Sequence, residues 1–167
     1  MKEVGICATE LRDYVVRPTL ENLGVASPVW EALLLGTAAQ ESQLGFHVKQ
    51  DRGFGIFKID SKTHKDVWDT FLAFDPDRAS LVRGIASQRE FLKEPDVELI
   101  TNLAYACAIA WGVYASQGAE LPHDPSDLQS IAEVWYRYYP REDITQTPAH
   151  FIENYRKYIS EGPKLVA

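Results

Sequence analysis

Apolar positions recur at three- and four-residue spacing along most of the chain, with capping residues between the runs, which predicts a mainly α fold. Thr9 reads as the cap of a first helix through "ELRDYVVRPTLENL", interrupted or kinked at Pro18 and closed by Gly24. Ser27 and Pro28 form an N-cap and N1 pair for a helix to Leu44, with Gly45 as its C-terminal stop. In "RGFGIFKID" (52–60) glycines alternate with β-branched and aromatic residues, so a short strand or hairpin is expected there. Thr63 then starts "HKDVWDTFLA", and Asp75-Pro76 opens a helical segment running to Phe91. Thr101 or Asn102 caps "LAYACAIAWGVYASQ", which is apolar almost all round and ends at Gly118; a helix with no polar face belongs at the centre. Asp124-Pro125 opens "SDLQSIAEVWYRYY", stopped by Pro140. Thr147-Pro148 opens a last helix with Phe151, Ile152, Tyr155 and Ile159 inward and Gly162-Pro163 at its end. The expected architecture is six to eight helices bundled around one central buried helix, with one short β element.

Composition narrows this picture. The 167 residues are 46% hydrophobic and rich in aromatics, which suits one globular domain, 1–167. No apolar run approaches the 18 or so residues that a membrane span needs. The N-terminal "MKEVGICATELRDYVV" lacks a long apolar core, so no secretory signal is read there. Cys7 and Cys107 are far apart and outside any CxxC pattern; they read as two small hydrophobes in a reduced chain, with a disulfide as the alternative. The four histidines are scattered, so neither a metal site nor a cofactor is expected. A net charge of −7 disfavours nucleic acid, which is bound largely through Lys and Arg on phosphate.

One residue stands out against the helical pattern. In the run from Pro28 to Leu44, Trp30, Leu34, Thr37, Glu41 and Leu44 fall on one side, which sets Glu41 on or beside the buried face. Glu41 also lies in the last turn, where the helix dipole is negative. Desolvation and the dipole both disfavour the ionised form, so a raised pKa is expected. A carboxyl group kept neutral near neutral pH can donate a proton, the task of a general acid in glycoside cleavage. Taken alone, the spacing favours a half-exposed Glu whose stem packs on the core while its head reaches water.

Three stretches taken together carry a resemblance: "AAQESQLG" with the Glu41-Ser42 pair, "GFGIF" followed by "TH", and "AEVWYRYYP" (132–140). They resemble the lysozyme-like superfamily of soluble lytic transglycosylases and goose-type lysozymes, most closely the phage-encoded, virion-associated members with "ES…GIFQ…TH" early and "WKxYYNT" late. The resemblance covers roughly residues 28 to 160. It implies an α+β lysozyme-like fold and a peptidoglycan-cleaving glycosidase acting on the β-1,4 bond between N-acetylmuramic acid and N-acetylglucosamine. Glu41 would be the single catalytic acid/base. Ser42 would hydrogen-bond near the carboxylate and substrate; Gly55, Ile56 and Phe57 would form the β wall of the glycan groove, with Lys58 beside them. Tyr139 would reach toward Glu41 and help set its protonation. The implied partners are peptidoglycan glycan strands and other virion proteins. Synthesis in a host cytoplasm, followed by action in the periplasm or cell wall as a virion component or endolysin, would need no signal peptide.

The chain departs from the family pattern at several positions. Lys58 stands where relatives carry Gln, Pro140-Arg141 where they carry Asn-Thr, and Trp111 where related phage sequences carry Arg. A lysine beside the carboxyl would lower its pKa unless the side chain points away, and losing the Asn removes a sugar-binding amide. Asp51, Asp60 and Asp66 are within sequence reach of Glu41, but Asp60 and Asp66 fit strand-end and helix-surface roles. The one-Glu transglycosylase mechanism, which needs no second carboxylate, is the slightly favoured form. Two function classes stay open: the enzyme, and a lysozyme-like structural component of a phage particle that has lost the chemistry.

Overall fold

The computed structural model describes residues 5–161 and is mainly α-helical. In chain order its elements are α1 (Ala8–Leu11), a π turn (Arg12–Val16), α2 (Arg17–Asn22), α3 (Pro28–Ser42), β1 (Lys49–Gln50) and β2 (Gly53–Phe54). There follow α4 (Ser61–Thr70), a 3₁₀ turn (Leu72–Phe74), α5 (Pro76–Ile85), α6 (Gln88–Lys93) and α7 (Pro95–Thr101). The chain continues with α8 (Leu103–Ala115), α9 (Leu128–Tyr138), α10 (Pro148–Tyr155) and a π turn (Arg156–Ser160). Among the described residues, no single helix is long and apolar enough to cross a membrane. The expected stop at Gly162-Pro163 and the first four residues of the N-terminal segment lie outside the described residues.

Local chemistry accounts for most boundaries and for the corrections to them. Cys7, without a side-chain hydrogen bond, is the N-cap of α1, so Thr9 is already inside the helix. The helical run is interrupted just before Pro18 by a π turn, and the proline enters α2 in its first turn, where its missing N–H costs little. Ser27 caps α3 by accepting from the Trp30 N–H at 3.1 Å, as the Ser-Pro pair predicts. The cap of α4 is Asp60, which accepts from the Thr63 N–H at 2.7 Å, so the helix starts before Thr63. The expected helix from Pro76 to Phe91 is two helices, because Ala86 turns extended and Ser87 caps α6 afresh. Asn102, not Thr101, caps α8 through its carbonyl oxygen on Tyr105 N–H. Asp127 takes the capping role expected of Asp124, so α9 begins at Leu128.

Two helices, not one, form the centre. α8 is buried from Tyr105 to Tyr114, as its apolar sequence predicts, and α3 is buried along most of its length beside it. α3 packs against α8, α9 and α10. The closest approach is at Gly36, where a Cβ would fall 2.2 Å from the Phe151 ring, so only glycine lets α10 lie on α3. In the last helix Phe151 and Tyr158 are the buried residues, while Ile152, Tyr155 and Ile159 are only partly covered. Trp111 is buried on α8 among Trp30 and Phe71, with the Arg78 guanidinium 5.1 Å from its ring centre. Cys7 is exposed and Cys107 buried, and both are free thiols.

A second cluster on α8 has a pH consequence. His64 is buried, with Nδ1 2.9 Å from Asp96 Oδ1 and Nε2 2.6 Å from the Tyr105 hydroxyl, which also accepts from Trp68 Nε1 at 2.9 Å. The Asp96 carboxylate can only accept, so the neutral ring carries its proton on Nδ1, and Nε2 accepts from the Tyr105 hydroxyl. Burial lowers the His64 pKa from 6.5, and the Asp96 contact opposes this only in part. Below pH 6.5 the unfolded chain therefore takes up a proton that the native state resists, and stability falls as pH drops toward the lower folded value. Thermal melts from pH 7.5 to 5 are expected to show a decline that is shallower in His64→Gln. An equal slope in both proteins would remove His64 as its cause.

Candidate active site

α3 carries two carboxylates in different company. Glu31, in its first turn, receives Arg17 Nη2 at 2.8 Å and Nε at 3.2 Å, a bidentate ion pair. Glu41, in its last turn, receives only a neutral donor, the Trp135 indole N–H, on Oε1 at 3.2 Å. Glu31 is a fastening between α3 and the first helices. Glu41 is a partly exposed acid opening onto a cleft of about 610 Å³ of empty space, mouth included.

That cleft is lined by segments far apart in sequence: Glu41 from α3, Gly53, Lys58 and Ile59 from the hairpin region, and Asp60 and Thr63 from the start of α4. The chain after α9 closes it with Tyr139, Pro140, Arg141, Glu142, Asp143 and Gln146. Loss of hydration dominates at Glu41. Burial pushes its carboxyl up from 4.5 to about 7, against the downward pull of the Trp135 hydrogen bond and the charges of Lys58 and Arg141. A carboxyl that titrates near neutrality can both give and take a proton at pH 7, as a general acid/base must. Asp143 differs: hydrogen bonds from the Thr145 hydroxyl and N–H, at 2.5 and 2.9 Å, hold its pKa below the ordinary value, so it stays ionised.

The hairpin is fixed by local geometry. β1 and β2 pair antiparallel with Lys49 opposite Phe54 and Gln50 opposite Gly53, and Phe54 bridges onward to Ile59. A turn closed by the Lys58 N–H on the Gly55 carbonyl, at 3.1 Å, then returns the chain to the cleft. The "GFGIF" stretch is therefore one short strand and a turn. α3 stops at Ser42, two residues before the expected Leu44, because Gln43 and Leu44 adopt left-handed backbone ahead of Gly45. This sharp exit directs the chain away immediately after Glu41.

Of the residues expected at the site, Glu41, Lys58 and Tyr139 line the cleft together. Ser42, Gly55, Ile56 and Phe57 are buried behind it. The Ser42 hydroxyl lies 2.6 Å from the Ile56 carbonyl and accepts from the Gly45 N–H at 2.9 Å, so it staples the helix end to the turn instead of facing the carboxylate. Ile56 and Phe57 are core residues whose backbone makes these fastenings. Tyr139 is buried beside Glu41, but its hydroxyl donates to the Phe57 carbonyl, which anchors the end of α9 to the hairpin. Its ring packs on Tyr114 at 5.3 Å, and the Tyr114 hydroxyl is 2.7 Å from Thr37 Oγ1 on α3. Lys58 Nζ lies 3.8 Å from Asp51 Oδ2, so its charge is shared with a carboxylate outside the cleft.

Trp135, Arg141, Asp60 and Gln146 were not assigned to the site from the sequence: Asp60 was given a strand-end role and Arg141 was noted only as a departure from the family pattern. Trp135 was legible in principle as a large residue on the buried side of α9, four positions before Tyr139, which lies just past the helix end. Gln146 also lines the cleft, and its backbone carbonyl accepts from Arg141 Nη1 at 3.2 Å. Among the described residues no group of His, Cys, Asp and Glu could hold a metal ion. The chain was compared with family models, curated proteins and solved structures, and nothing matches.

Proposed function

We propose that this chain cleaves peptidoglycan glycan strands as a lytic transglycosylase or muramidase, with Glu41 as general acid/base. The observation that carries the reading is the convergence of three separate stretches, around Glu41, Lys58 and Tyr139, on one cleft with a carboxyl of raised pKa at its base. The resemblance of those stretches supplies the identity of the glycan; the cleft supports the chemistry. Asp60, Thr63, Arg141, Glu142 and Gln146 offer donors and acceptors to a polyhydroxylated chain.

In the proposed reaction Glu41, protonated, gives its proton to the glycosidic oxygen as the bond from C1 breaks. The carboxylate so formed then takes a proton from the sugar's own 6-hydroxyl as that oxygen bonds to C1, giving a 1,6-anhydro end. In the hydrolytic variant it takes the proton from water, which adds at C1 and leaves a reducing end. The ionised form gains from the Trp135 N–H and the nearby charges of Lys58 and Arg141, so the departing proton leaves an anion with partners in place. The net charge of −7 favours an enzyme held at the anionic wall by a larger assembly, such as a virion, over one that searches by diffusion.

Purified peptidoglycan digested with the wild-type chain and resolved by mass spectrometry tests the reading. Anhydro-muropeptides mark the transglycosylase and new reducing ends the muramidase; no release by folded, concentrated protein rejects both. Because Glu41 must enter the cycle protonated, kcat/KM is expected to fall as pH rises through about 7. A descending limb centred near the ordinary glutamate range, about 4.3, would contradict a buried acid.

A further inference from the structure

The tyrosine expected to tune the carboxyl is otherwise engaged, since the Tyr139 hydroxyl donates to the Phe57 carbonyl. The donor that reaches Glu41 is the Trp135 indole. That ring is fully buried and packs on Phe151, with centroids 5.6 Å apart. Arg141, just beyond the end of α9, sets its guanidinium carbon 5.3 Å from the Trp135 ring centre and 4.0 Å from that of Tyr136. Its Nη1 donates to the Gln146 carbonyl, which holds the loop in place, while the residue lines the cleft that Glu41 opens into. A guanidinium over an indole is attracted by the ring and draws electron density from it, which makes the N–H a better donor.

We propose that Arg141 is a positioning residue for the acid/base: stacked on Trp135 and Tyr136 and tied to Gln146, it holds the indole N–H on Glu41. A Lys could supply the charge at this place but not the flat face that spans two rings, and a neutral residue would supply neither. The assignment uses a position at which the chain departs from the family it resembles. Its catalytic meaning rests on Glu41 being the acid/base, but the arrangement is testable without substrate.

The other groups around Glu41 define what a titration would read. Lys58 approaches from the hairpin and Asp60 from the start of α4; Glu142 and Asp143 follow Arg141 in the same loop. Tyr139 adjoins from the end of α9 and Tyr114 from α8, both phenols held neutral by burial. From α10, Asn154 donates to the neighbouring Gln40 at 2.7 Å. Of the two cations that pull on Glu41, Lys58 is also shared with Asp51. Arg141 is the one joined to the carboxyl through its hydrogen-bond donor.

The experiment is an NMR titration of the Glu41 carboxyl carbon, with the Trp135 indole proton followed in parallel, in wild type, Arg141→Gln and Arg141→Lys. In Arg141→Gln the Glu41 midpoint is expected to rise by about half a pH unit or more, a roughly threefold weaker acid, and the indole proton to exchange faster with water. Arg141→Lys should restore part of the midpoint but not the slow exchange. If Arg141→Gln does not fold, the indole exchange of Arg141→Lys decides alone. An indole exchange rate unchanged in folded variants would overturn the proposal even if the Glu41 midpoint moved, because loss of the Arg141 charge alone shifts that midpoint, and it would do so whatever the outcome of the peptidoglycan digest.

Discussion

Glu41→Gln is expected to lower peptidoglycan cleavage by roughly 1,000-fold, the middle of the range that a lost general acid/base costs, while the fold is kept. The amide has nearly the shape of the carboxyl, and its oxygen can still accept the Trp135 N–H that now reaches Oε1 at 3.2 Å. What it cannot do is give up a proton to the glycosidic oxygen and take one back. The same substitution should alter stability in the opposite sense. Between 4.5 and about 7 the native carboxyl keeps its proton while the unfolded chain has lost it, so wild-type stability declines as pH rises through that window. Gln has no such transition. At pH 8 the variant is therefore expected to be more stable than wild type by on the order of 2 kcal/mol, and at pH 4.5 no more stable. Urea unfolding at the two pH values, beside mass spectrometry of the digest, measures both effects. A variant that digests as fast as wild type removes Glu41 from the chemistry; equal stability at pH 8 means that its carboxyl is not held neutral by burial.

Gly55→Ala carries the second large expectation, on stability. Gly55 sits at φ +78°, where an L side chain is strained, and a Cβ there would lie 1.9 Å from the Leu99 carbonyl oxygen of α7. The obstacle is backbone, which cannot rotate aside as a side-chain tip would. The turn that presents Lys58 to the cleft and the helix α7 would have to separate, and the expected loss is about 3 kcal/mol or more. Gly84→Ala, inside α5 with nothing within 4 Å of the added carbon, is the matched control and should be neutral or slightly stabilising. Equal midpoints in urea for the two variants would show that Gly55 is not a close-approach position. Because Gly55 is buried behind the cleft, its substitution should reduce activity only through the displaced turn, in contrast to Glu41→Gln, which leaves the fold in place.

Legibility in the chain follows the range of each interaction. Ser27-Pro28, Asp75-Pro76 and Asn102 marked helix starts because a cap is decided within three residues. Glu41 was legible as a candidate for a raised pKa because helical spacing sets it on or beside the buried face and the helix end adds the dipole, although spacing alone left a half-exposed Glu open. The end of α3 was less legible: Gln43 and Leu44, not glycine, take the left-handed turn, and the Ile56 carbonyl that helps fasten it through Ser42 lies fourteen residues on. The role of Ser42 near the carboxylate and substrate was what the resemblance implied; its hydroxyl is instead engaged by the Ala38 and Ile56 carbonyls, the second of which local pattern does not reveal. Tyr139 was expected to reach toward Glu41; it lines the same cleft, but its hydroxyl donates to the Phe57 carbonyl, which is eighty-two residues away and not encoded in local pattern.

By itself the sequence determined that the chain is mainly helical, that the 103–115 run is buried at its centre, and that a carboxyl ends the helix from Pro28. These follow from periodicity and capping, which act over a few residues. The tertiary structure alone decided that α3 shares the centre with α8, and that the hairpin region and the loop after α9 close one cleft over Glu41. It also decided that Trp135, ninety-four residues distant, supplies the hydrogen bond, with Arg141 stacked on its ring. The reason is physical: a buried group's partners are set by which faces meet when the helices pack, and that meeting is a property of the whole chain.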